Sequence, residues 1–71
     1  MALSDEETTE LEVDLVKHNG DKALLLEIDG VEYWLPKSAI EKGGDIDADA
    51  EKGAEGTVIV ATWWARDRGL L

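Results

Sequence analysis

The spacing Asp45-x-Asp47-x-Asp49 is the feature of this sequence closest to a reactive site. Carboxylates at alternate positions open the calcium loops of EF-hands, where they wrap a cation. Such a loop also needs glycine at its sixth position and a bidentate glutamate at its twelfth. Ala50 and Gly56 stand there, so the calcium pattern fails twice and no metal site is expected. The second reading is a row of charge. In an extended chain alternate residues point the same way, about 6.7 Å apart. That interval is of the order of the phosphate spacing along one nucleic-acid strand. Glu10, Glu12 and Asp14 repeat the geometry, and Glu51 and Glu55 extend the acidic run.

Other catalytic constellations are missing. There is no cysteine, and the single histidine, His18, sits between Lys17 and Asn19 in turn-like sequence. A general base needs a nucleophile and an orienting partner. Ser38 reads as a helix cap. The carboxylates lie in polar sequence, with nothing to bury one and raise its pKa for acid catalysis. The chain therefore reads as non-enzymatic, with no cofactor.

Charge narrows the partners. Seventeen acidic residues face seven basic ones, a net charge of −10. Residues 1–16 hold six acids and no base, and residues 41–55 hold six acids and two lysines. Such acidity repels phosphate, so direct nucleic-acid binding is not expected, although three tryptophans are present to stack on bases. Acidic segments keep small domains in solution. They also form a face that a basic partner recognises. Adjacent Trp63 and Trp64 cannot both face a core. Trp64, with Trp34, is assigned to a partner surface, where tryptophan is enriched.

The elements that position these residues follow from pattern. At 71 residues the chain is one small domain. Residues 1–9 read as a flexible acidic tail, and 10–71 as a single β-rich domain. From Glu10 the residues alternate, with Leu11, Val13 and Leu15 on one side and the acids on the other, which predicts a strand over 10–17. KALLLEI predicts a second strand over 22–28, its three leucines implying burial on both faces. Asp29-Gly30 is a type I′ hairpin signal leading to a strand over 31–35. Ser38 and Glu41 match a capping box, predicting a helical turn. Residues 43–56 read as a long acidic surface loop whose glycines let its carboxylates adjust. TVIVAT predicts a strand over 57–62. Thr62 then caps a helix over 63–69, with Gly69 at its end. The fold class is α+β, mainly antiparallel β: a four-stranded twisted sheet or small open barrel with a short C-terminal helix.

The stretch Glu32-Tyr33-Trp34-Leu35-Pro36-Lys37-Ser38, after Ile28-Asp29-Gly30, resembles a hairpin of small phage- and prophage-encoded proteins. The resemblance runs in outline over residues 22–71. It implies a mobile-element origin and a cytoplasmic site of action in a bacterial host. The N-terminus lacks a basic region and an apolar run, so no signal peptide is expected, in agreement with that location, and no membrane span is expected either. In size and charge the chain also resembles anti-CRISPR proteins, several of which imitate DNA. Together these expectations describe a non-enzymatic inhibitor that offers carboxylates to a basic nucleic-acid-binding complex of the host. The alternative is an accessory module of phage DNA replication or recombination that docks a partner through its strands and tryptophans.

Overall fold

The computed structural model describes residues 7–71. Six strands precede one helix: β1 (Thr8–Val13), β2 (Leu15–Asn19), β3 (Ala23–Ile28), β4 (Val31–Pro36), β5 (Ile40–Glu41), β6 (Gly56–Ala61) and α1 (Thr62–Asp67). They form two three-stranded antiparallel sheets, ordered β1-β6-β5 and β2-β3-β4. The mainly antiparallel β class with a short C-terminal helix holds. The single four-stranded sheet does not, and the strands do not close into a barrel.

The second sheet arises because the expected strand over 10–17 breaks at Asp14. Alternation would send Leu11, Val13 and Leu15 inward. Instead Val13 and Val16 are both buried, so the side-chain parity slips between them. Asp14 makes the slip. Its N–H donates to the Glu27 carbonyl at 2.9 Å, and its carboxylate accepts the Asp29 N–H at 2.9 Å. The chain thereby leaves β6 and joins β3. A bulge between Val16 and His18 then lets the strand bend further. The N-terminal boundary also moves: β1 begins at Thr8, inside the expected tail, and residues 1–6 lie outside the described residues.

The hairpin matches its signal. Asp29 and Gly30 have φ of 53° and 80°, and Ile28 pairs with Val31, as a type I′ turn requires. β3 buries Leu24, Leu26 and Ile28, whereas Leu25 is only half-buried on the outer face. The leucine run is thus one inward face with an apolar neighbour, not a strand covered on both sides. Pro36 closes β4. The capping box does not form. Lys37–Ala39 is a single 3-10 turn with no side-chain cap, Ser38 is exposed, and Glu41 belongs to β5.

β6 packs Val58 and Val60 against the core that the two sheets share. The helix begins at Thr62 itself, whose hydroxyl bonds the Thr9 hydroxyl at 2.7 Å rather than capping. Its C-terminus is a Schellman motif. Gly69 N–H donates to the Arg66 carbonyl and Leu70 N–H to the Ala65 carbonyl, with Gly69 at φ 75°. The helix drives Trp64 into the core at 1% exposure and leaves Trp63 at 47%. Tyr33 meets the Trp64 ring edge-on at 6.3 Å, and Arg68 lies over it at 5.9 Å. Its Nε1–H finds no acceptor among the described residues. Trp64 is therefore a packing residue, and Trp63 is the exposed member of the pair.

Two outcomes test this account. Asp14→Ala removes the acceptor for the Asp29 N–H and is expected to cost about 1–2 kcal/mol. Glu10→Ala, on the wet face of the same segment, should stay within about 0.5 kcal/mol. Urea unfolding midpoints measure both, and equal midpoints contradict the role of Asp14. Trp64→Ala is expected to cost about 3–5 kcal/mol, enough to unfold most of a domain this small. Trp63→Ala should cost under about 1 kcal/mol. Near-ultraviolet circular dichroism and dispersion of the proton NMR spectrum distinguish the two.

Candidate acidic face

The two acidic segments meet on the outer side of the β1-β6-β5 sheet. Directly opposed residues of an antiparallel pair project to one face. Glu10 pairs with Ile59, and Ile59 pairs with Glu41, so the two glutamates flank Ile59 on the same side. Strands are spaced about 4.8 Å apart, which sets the Glu10 and Glu41 backbones about 10 Å from each other. Glu12 opposes Thr57. The Thr57 hydroxyl donates to Glu12 Oε2 at 3.2 Å, while its N–H donates to Asp45 Oδ2 at 3.1 Å. Thr57 thus joins a carboxylate of the N-terminal segment to one of the loop. The sequence pattern makes Glu41 a cap partner, and the structure places it in β5. Its place in an acid row was legible only through β5, which is two residues long.

The loop between β5 and β6 is anchored at several points. Ile46, its one large apolar residue, is fully buried, donates its N–H to the Thr57 carbonyl and bridges Val58. Farther on, the loop seals the outer edge of β2. Val16 N–H donates to the Ala54 carbonyl at 2.8 Å, and Gly53 N–H to the Val16 carbonyl at 2.7 Å. Asn19 Nδ2 donates to the Ala50 carbonyl at 2.8 Å. The segment is a strap from one sheet to the other, with its carboxylates on top. Gly56, at φ 132°, passes so close to Asp45 that a Cβ there would lie 2.7 Å from the carboxylate oxygen. Gly44 likewise stands at a close approach, 2.7 Å from the Thr57 carbonyl for an added Cβ.

The expected site residues separate accordingly. Asp45 is tied to Thr57. Asp47 Oδ1 accepts the Asp49 N–H at 2.9 Å and shapes its own turn. Asp14 holds the bend and leaves the acid row. These three do not simply face water, and replacing them perturbs the fold as well as the charge. Glu10, Glu12, Asp49, Glu51 and Glu55 are exposed. Ile40, Glu41, Lys42, Asp47 and Asp49 line a shallow cleft of about 380 Å³. Among the described residues no three His, Cys, Asp or Glu side chains gather to hold a metal ion, and no helix is long and apolar enough to cross a membrane.

The outer face of the other sheet carries Trp34, 51% exposed. Its ring meets His18 edge-on at 6.2 Å, and the register places Leu25 between them. Lys17 reaches across β3 to Glu32 at 2.8 Å. The hydrogen bond to Glu32, and then its charge, raise the Lys17 pKa above the usual lysine value. A raised lysine pKa stabilises the fold below the unfolded value and loses that contribution as pH climbs through the raised one. The lysine's contribution is therefore constant across neutral pH.

The strap has a direct test. Ile46→Ala is expected to cost about 2–4 kcal/mol. It should also speed tryptic cleavage after Lys52, because the strap then lifts from β2. Asp49→Asn should alter neither stability nor cleavage. An Ile46→Ala protein as stable and as resistant as the parent contradicts the anchoring.

No protein-family model, curated protein or solved structure matches this chain.

Proposed function

We propose that the protein is a non-enzymatic inhibitor that binds a basic nucleic-acid-binding complex through its acidic face. The host complex is a bacterial one of the CRISPR surveillance kind, as the resemblance in size and charge implies. One observation carries the reading. Acids far apart in sequence, Glu10, Glu12 and Glu41, share one face of a hydrogen-bonded sheet, and Thr57 ties Asp45 of the loop beside them. A groove lined with lysine and arginine attracts a fixed array of negative charge as it attracts phosphates. The backbone under these acids is already hydrogen-bonded, so docking has side chains to order and not the chain beneath them.

A second reading has its own observation. Trp34 is about half exposed on the outer face of β4, as the anchor of a protein-docking module would be. In that case the chain is an accessory module of phage DNA replication or recombination.

Charge reversal separates the two. Glu10→Lys, Glu12→Lys and Glu41→Lys together should abolish capture of the partner complex from a bacterial lysate while leaving the fold intact. Capture should weaken steeply with added salt and be displaced by duplex DNA. If Trp34→Ala removes binding instead, with a nearly flat salt response, the docking module is correct. A complex that holds this protein and DNA together, with no mutual displacement, rules out imitation of DNA at that site.

A further inference from the structure

Two three-stranded sheets have four edges, and the fold treats them differently. The β2 edge is sealed by the strap at Val16. The β5 edge is two residues long, and the chain beyond it continues the ladder through the Ile46–Val58 bridge. The β4 edge ends in Pro36, which has no N–H, and its one charge, Glu32, is paired with Lys17 reaching across from β2. Among the described residues the β1 edge is open, and its charges are of one sign.

The register shows which groups that edge presents. Thr62 N–H donates to the Glu7 carbonyl, in line with the β1–β6 pairing. Thr9, Leu11 and Val13 therefore direct their backbone groups to β6. The alternate residues, Thr8, Glu10 and Glu12, direct N–H and C=O outward. β1 is the terminal strand of its sheet, with no described strand beyond it. Glu10 and Glu12 are exposed, and residues 1–16 contain no base.

We propose that an extended segment of a partner protein, with lysine or arginine at every second position, adds to this sheet as a fourth strand along β1. The proposal rests on the reading that the partner is basic, and it names the mode of recognition. Main-chain hydrogen bonds to Thr8, Glu10 and Glu12 supply affinity, and alternate side chains supply specificity. Charge selects the occupant, because opposite charges directly across a pair stabilise it and like charges do the reverse. A second copy is disfavoured on that ground. The antiparallel register that engages all three outward residues sets Glu10 against its own counterpart.

The geometry fixes which amides of the incoming strand matter. A residue opposite Glu10 in an antiparallel addition exchanges both hydrogen bonds with it and shares its face. The basic residues, not the apolar ones between them, must therefore donate their N–H groups to β1. The test uses the full chain and a synthetic peptide, acetyl-(Lys-Val)3-amide, at low salt. Binding should slow amide exchange at Thr8, Glu10 and Glu12 about tenfold or more, and leave Glu32 and Trp34 on the β4 edge unchanged. N-methylation of the peptide lysines should weaken binding about tenfold or more, since at least two hydrogen bonds are lost, and N-methylation of the valines should not. Glu10→Gln with Glu12→Gln should weaken it with the fold retained.

Equal binding of the two methylated peptides overturns strand addition and leaves the acidic-face reading standing, because a charged surface alone does not distinguish them. Equal binding of a (Glu-Val)3 peptide, or no binding of the lysine peptide, also overturns it. So does protection of the three amides in the free monomer, which would assign the edge to residues 1–6 of the same chain. Protection that grows with protein concentration would assign it to a second copy, with the same consequence.

Discussion

The fold turns on one residue that serves two partners. Asp14 donates its N–H to Glu27 and accepts the Asp29 N–H on its carboxylate. The first contact moves the chain from one sheet to the other, and the second fastens it to the hairpin turn. Asp29 sits at φ 53°, a conformation costly for a residue with a Cβ. The bond from Asp14 helps hold that turn in place. Without the bend, β1 and β2 would be one strand in one sheet, with Val16 facing water. With it, the two sheets share a single core and β1 is left with an outer edge.

The strap is the second consequence. Splitting one strand into two creates an additional edge on β2, and an open edge invites unwanted pairing. Residues 46–54 close it with backbone bonds at Val16 and a side-chain bond from Asn19. The strap holds at its other end because Ile46 is buried beside Val58. A segment whose composition reads as a solvated acidic loop thus has an apolar underside: Ile46 is fully buried, and Ala50 and Ala54 pack against the same core.

Legibility followed the range of the interactions. The Asp29-Gly30 turn, the β6 strand and the Gly69 terminus depend on neighbours in sequence, and their residue types announce them. The break at Asp14 depends on residues about fifteen positions away. Alternation counts parity only, and Leu15-Val16 offers an apolar residue in either parity. Ile46 was a signal that went unused, being the one large apolar side chain between Gly43 and Gly56. Helical spacing did not tell the tryptophans apart: Trp63 is followed at the third and fourth positions by Arg66 and Asp67, and Trp64 by Asp67 and Arg68, all charged. Of the candidate surface, the alternating acids of β1 were legible and Glu41 was not, because its neighbour Ile59 is supplied by β6 from beyond the loop.

The distribution of charge is the cost side of this design. Glu10, Glu12 and Glu41 lie on one face, with Asp45 tied beside them through Thr57, and their mutual repulsion opposes folding. The fold offsets it locally where it can. The Thr57 hydroxyl and N–H each satisfy one carboxylate, and Asp47 is satisfied by its own turn. Glu10 has no such partner in the described structure, and water and salt must screen it. An opposite charge placed against β1 would relieve that repulsion while using backbone groups the sheet leaves open. The same feature that weakens the isolated domain therefore favours its complex with a basic strand.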